Sequence, residues 1–246
     1  MTEAEQQGLA DGRALRFLVP RRALHGGPGA VSAPRAGESL EFQDYRDYAP
    51  GDDLRKLDWN VLARSDRVVV KVHRDEVAPV VEILRDKSAS MDVPPAKRET
   101  SDYLFGLVAG AAAGCRVVER DEPRTPRAVR IFISDLMTDA DPERELARIS
   151  HMAAATIVAR VLSESEMSPR EGAPAELVDA ETGERRELPL DGKTISAYLK
   201  ALMDHTGRWR AAARRFGAEF VDLAAESPRR DIVRALAAAG IVEARR

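Results

Sequence analysis

Residues 82–93 read EILRDKSASMDV, an apolar rise that ends in Asp86, with hydroxyls following at steps of two, Ser88 and Ser90. A carboxylate and two neutral oxygens on one short loop could hold a hard cation, present a nucleophile, or cap the helix that follows. A second acid, Asp135, ends the run AVRIFISD. In a parallel α/β sheet, ligands gather beyond the carboxyl ends of the strands, and adjacent strand ends lie roughly 5 Å apart. Asp86, Ser88, Ser90 and Asp135 are therefore the candidate metal ligands. Magnesium suits such a set, because it takes oxygen ligands in octahedral array and keeps several of its waters. Serine oxygens add no charge, so the ion would stay positive enough to accept a carboxylate from a partner.

The nucleophile reading fares worse. A serine nucleophile needs a base, usually histidine, and none of His25, His73, His151 or His205 falls at a strand end beside this loop. Neither G-x-S-x-G nor the phosphate-cradling G-x-x-x-x-G-K-[ST] is present at the loop. The plain alternative is structural: Ser88, Ser90 or Asp92 could bond the backbone at the start of the next helix.

The elements that must position these groups alternate from residue 78 onward. APVVEILRD, AVRIFISD, ATIVARVLS and AEFVDL read as strands, and KRETSDYLFGLVAGAAAGCRVVER, PERELARISHMAAA and the run from Thr194 to Phe216 read as helices. Such alternation predicts an α/β domain with a mainly parallel sheet. AELVDAETGERRELPL predicts a hairpin insertion near 175–190, and SPRRDIVRALAAAG a last helix that Ser227 caps, with Pro228 in its first turn. Residues 1–77 read as an N-terminal arm and an aromatic, acid–arginine segment, and residues 78–246 as the α/β domain. In the segment, Tyr45, Arg46, Tyr48, Asp52, Asp53, Arg55, Asp58, Trp59 and Arg64 are candidate partner-binding residues, since Tyr, Trp and Arg are common interface anchors. The bland use of the same segment is as a loop pinned to its own domain.

Composition narrows the classes. A net charge of −3 argues against a nucleic-acid or membrane-surface binder. The basic runs RWRAAARR and EARR read as solvated helix faces. The single cysteine, Cys115, excludes an internal disulfide framework and fits a reducing compartment; within its Ala/Gly/Val run it reads as an inert core thiol. The opening residues lack the pattern of a secretory leader, and the apolar run LFGLVAGAAAGCRVV is too short to span a bilayer, so cytoplasmic residence without a transmembrane segment is expected.

RDKSASM resembles the metal-ion-dependent adhesion site, D-x-S-x-S, of von Willebrand factor type A domains, and EFQDYRDYAPGDDLRKLDWNVLARSD is similar to the signature of a bacterial family catalogued as domain of unknown function 58. LVDAETGERREL and ISAYLKALMDHTGRWRAAARRFGAEFVDL also look like that family's C-terminal half. The resemblance implies a three-layer, von Willebrand A-like α/β fold with an N-terminal extension and a role in assembly or maturation beside a MoxR-type AAA+ ATPase, in a family for which no catalytic activity is established. Carried over, Asp86, Ser88 and Ser90 match the first metal motif and Asp135 the later aspartate.

The chain departs from that pattern between Glu119 and Ala128, where RDEPRTPR replaces two further strands, a helix and the loop with the usual threonine ligand. Thr125 and Thr138 are the threonines nearest at hand, and Lys87 places a cation in the loop. The domain therefore reads as abridged, its magnesium site incomplete, with the strand before Asp86 at a sheet edge where Glu82 and Arg85 discourage stray pairing. The leading expectation is a non-enzymatic interaction module. The alternatives are a metal-dependent hydrolase using Asp86 and Asp135, and a metal-free scaffold.

Overall fold

The computed structural model describes residues 1–18, 42–50, 57–65, 67–73 and 79–245. Two compact units divide the chain, one of Met1–Ser32 with Pro79–Arg246 and one of Ala33–Ala78. The arm expected over 1–77 is thus divided. Its start, α1 (Glu3–Gly12) and β1 (Leu15–Phe17), belongs with the α/β unit. In the smaller unit, β2 (Phe42–Asp47) pairs antiparallel with β3 (Val69–His73), and α2 (Trp59–Ser65) lies between them in sequence. Asp58 starts that helix by accepting from the Asn60 and Val61 N–H groups.

The larger unit carries β4 (Val80–Arg85), a 3-10 turn (Ala89–Asp92), α3 (Pro95–Ala111), β5 (Arg116–Arg120), β6 (Val129–Ser134), α4 (Pro142–Ser150) and β7 (Ala155–Leu162). It continues through α5 (Glu164–Met167), β8 (Ala175–Val178), β9 (Arg185–Leu188), α6 (Gly192–Arg215), β10 (Glu219–Ala224), α7 (Arg229–Ala238) and β11 (Val242–Ala244). Five strands form one parallel sheet in the order β10-β7-β6-β4-β5. β8 and β9 form the expected hairpin, and β1 pairs with β11. Helices flank the sheet because its strands alternate between two apolar clusters. Ile83, Ile131, Ile133 and Val161 pack with Tyr103, Leu107 and Leu236, while Leu84 and Val158 pack with Leu146, Ile149 and Trp209. Among the described residues no helix is long and apolar enough to cross a membrane.

Three expectations are corrected. The long helix read through Arg120 stops at Ala111; Gly114, at φ 89°, turns the chain, and GCRVVER supplies the edge strand β5. β4 is therefore paired on both sides rather than at an edge. Its charges do not guard against pairing. Glu82 is fully buried against Arg130, and Arg85 is held by three carboxylates. Finally, α7 starts at Arg229 behind Pro228, which holds the cap position with no side-chain hydrogen bond, so Ser227 does not serve as the cap. Cys115 is half-buried against the core, and burial pushes its thiol above the ordinary value, as an inert thiol requires.

α1 lies on α3 with their backbones in contact. A Cβ at Gly8 would fall on the Tyr103 carbonyl oxygen, one at Gly12 on that of Leu107, one at Gly106 on that of Glu5, and one at Gly110 on that of Leu9. Two glycine pairs, each spaced by four, let the helices approach this closely. The Tyr103 hydroxyl adds a 2.9 Å hydrogen bond to Asp11. Gly106→Ala is therefore expected to force the helices apart and cost about 1–3 kcal/mol in urea unfolding. Gly207→Ala, in an exposed turn of α6 with nothing near its added methyl, is expected to stabilise by about 0.5–1 kcal/mol.

Candidate functional site

The carboxyl ends of β4, β6 and β7 lie side by side on one rim of the sheet. On it the serine loop folds tightly around Asp86. One Asp86 oxygen accepts from the Ser88 N–H at 2.8 Å, and the other from the Ser134 hydroxyl at 2.6 Å. The Ser88 and Ser90 hydroxyls stand 3.0 Å apart. Neither caps a helix: Ser88 precedes the 3-10 turn without a side-chain bond to it, and α3 begins behind Pro94 with none either. Arg98 braces the loop from α3, donating to the Asp86 carbonyl at 2.9 Å and to Asp92 at 2.7 Å. That pairing holds the Asp92 carboxyl below its ordinary value.

Asp135 shares this rim but turns to a different partner. It is 2% exposed; one oxygen accepts from the Met137 N–H at 2.9 Å and the other from the Lys97 ammonium at 2.7 Å. Lys97 is wholly buried and also donates to Glu166 at 2.8 Å. Glu166 in turn accepts from the Ser163 N–H and hydroxyl. Lys87, expected to put a cation in the loop, leans away to Asp121 at 2.7 Å, and that bond raises its ammonium above the ordinary value.

A magnesium ion finds only part of a shell here. The two serine oxygens have the spacing of neighbouring octahedral ligands, roughly 2.9 Å for bonds near 2.1 Å. Asp135, however, is held by an ammonium. Thr125 is tied by its N–H to Glu82, low on β4 rather than at the rim, and the Thr138 hydroxyl accepts from Ala140. Among the described residues no three His, Cys, Asp or Glu side chains stand where they could hold a metal ion.

What the serine loop does hold is a carboxylate. The Ser90 N–H donates to Glu181 at 2.9 Å. Glu181 sits at the tip of the β8–β9 hairpin, where Asp179 fixes the turn by accepting from the Glu181 and Thr182 N–H groups, each at 2.8 Å. Those bonds hold the Asp179 carboxyl below its ordinary value.

The candidate partner-binding residues are more scattered. Asp52, Asp53 and Arg55 lie outside the described residues, and Tyr45 and Arg46 fall on β2. Asp58 is buried and accepts from the Asn60 N–H at the start of α2. Tyr48 is half-buried, Arg64 is exposed, and Trp59 is 63% exposed.

Lys97, Ser134, Glu166 and Glu181 did not stand out in the sequence. Lys97 carried one signal, a cation in the first turn of a helix, where the helix dipole disfavours it. No curated protein and no solved structure matches the chain. The model of a family described as protein of unknown function DUF58 matches residues 44–115, from β2 through the serine loop to the end of α3, and supports that family for the stretch holding Asp86, Ser88 and Ser90.

Proposed function

We propose that this chain is a non-enzymatic protein-interaction module of the DUF58 type, built on a three-layer, von Willebrand A-like domain, whose serine loop takes a carboxylate from a protein partner. The observation that carries the reading is the Ser90 N–H holding the Glu181 carboxylate, since the loop is thereby shaped to receive an acid. Glu181 belongs to a hairpin with little packing of its own; Leu177, Val178 and Leu188 stay exposed on it. A two-stranded hairpin is marginal alone, so a partner can displace its tip and cover those apolar side chains. The two apolar clusters on alternate strand residues support the three-layer arrangement. The competing hydrolase reading needs Asp135 free to hold an ion, and Asp135 is bound to Lys97.

The partner we assign is a MoxR-type AAA+ ATPase, in cytoplasmic assembly or maturation, with exposed Trp59 as a second anchor. Binding of a purified ATPase of that type, followed by biolayer interferometry, tests this. Glu181→Gln removes the competing charge and is expected to tighten binding by roughly two- to ten-fold, the worth of one exposed hydrogen bond. Asp86→Ala, which frees the Ser88 N–H and the Ser134 hydroxyl, is expected to weaken binding about ten-fold or more. Equal binding by all three proteins, or none by any, would sink the assignment.

A further inference from the structure

The buried ammonium on the rim raises a question that the serine loop does not answer. Burying a lysine is among the most costly placements a side chain can take unless its charge is matched. Lys97 sits in the first turn of α3, where the dipole also opposes it, and no part of its side chain is exposed. Among the described residues the carboxylates of Asp135 and Glu166, at 2.7 and 2.8 Å, account for it. Through them one cation fastens α3 to the residue that follows β6 and to α5, the short helix just beyond β7. Asp135, Lys97, Glu166 and Ser163 form an unbroken run of hydrogen bonds along the rim.

We propose that Lys97 is the resident cation of this rim, doing structurally what a divalent ion would do, so that the folded protein neither needs nor takes magnesium at Asp86, Ser88, Ser90 and Asp135. The lysine accounts for the short interval before β6 as well. With the ammonium already bound to Asp135, a threonine ligand from that interval has no ion to complete. Loss of Lys97 leaves Asp135 and Glu166 facing one another, and a side chain truncated to alanine leaves room between them. That space, with two carboxylates and the Ser163 hydroxyl at its wall, suits magnesium.

Thermal melts of the wild-type protein, Lys97→Ala and Lys97→Met test this without any partner, so the result stands apart from the interaction reading. Each is melted with magnesium chloride raised to about 10 mM against sodium chloride of equal ionic strength, enough to reveal a site of millimolar affinity or better. The wild-type Tm is expected to stay unchanged. Both variants are expected to melt roughly 10 °C lower, and magnesium is expected to restore several degrees to Lys97→Ala but none to Lys97→Met, which fills the space without a charge. A magnesium-dependent rise in the wild type that disappears in Asp86→Ala would overturn the proposal, because the ion and the lysine would then coexist. So would a Lys97→Ala protein that folds and ignores magnesium. Should Lys97→Ala fail to fold at all, the wild-type titration and its Asp86→Ala control decide alone.

Discussion

Glu82→Gln is expected to lower the unfolding free energy by about 3–5 kcal/mol, the cost of stranding a buried charge, which for a chain of this size lowers the Tm by roughly 6–20 °C. Glu82 is fully buried and Arg130 is 3% exposed, and they meet at 2.9 Å directly across β4 and β6. Glu82 also accepts from the Thr125 N–H, and Arg130 donates to the carbonyl oxygens of Thr125, Ile149 and His151. One pair thus ties the loop before β6 and the end of α4 to the sheet. Glutamine keeps the shape and loses the charge, leaving the guanidinium uncompensated. Adding Arg130→Met is expected to recover only part of the loss, because three carbonyl oxygens then lack donors. The pH dependence follows from the same contacts. Burial works against ionisation of Glu82, but the bonds from Thr125 and Arg130 outweigh it and hold the carboxyl below its ordinary value. Its stabilisation is therefore full above the ordinary glutamate range and is lost as pH falls through the depressed value. Urea titrations at neutral and acid pH check both statements; a neutral-pH cost under about 1 kcal/mol would contradict them.

Arg85→Met is expected to cost nearly as much, about 3 kcal/mol. The Arg85 guanidinium grips Glu119 through two nitrogens at 3.1 and 2.9 Å, and one of its amino groups reaches Asp102 at 2.6 Å and Glu5 at 3.2 Å. It also lies 4.8 Å from the centre of the Phe105 ring. Those contacts join α1, α3 and β5 to the last residue before Asp86. Without them three carboxylates crowd one another, so added salt is expected to narrow the deficit by screening their repulsion. Arg85→Lys should restore less than half, because a point charge cannot reproduce the two-pronged hold on Glu119. Hydrogen exchange read at α1 and α3 is the second check: protection should fall there first, and an unchanged pattern would show that Arg85 is not the joint between them.

Much of the sheet was legible because parallel strands buried on both faces leave short apolar runs with abrupt ends. VVEIL, VRIFIS and TIVARVL carry that mark, and with it came the placement of Asp86 and Asp135 on one rim. β5 escaped because VVER continues the Ala/Gly run of α3 without a change of character, and only Gly114 marks the break. The charges of β4 misled for a different reason. Glu82 and Arg85 look exposed to any reading by period, since Arg130 is 48 residues and Glu5 80 residues away. The same distance hid the partners of Lys97 and of the Ser90 N–H. Spacing within an element is visible in a sequence; charge matching across the fold is not.

The first measurement to make is an amide proton–nitrogen NMR titration of the Glu181→Gln protein with a short, capped glutamate-containing peptide, in a metal chelator and again in magnesium. The Ser90 amide resonance should shift saturably, by the same amount in both buffers, and at lower peptide concentration than in the wild type, where Glu181 competes. A Ser90 amide that ignores the peptide, or responds only when magnesium is present, would contradict a serine loop that receives a carboxylate without a metal.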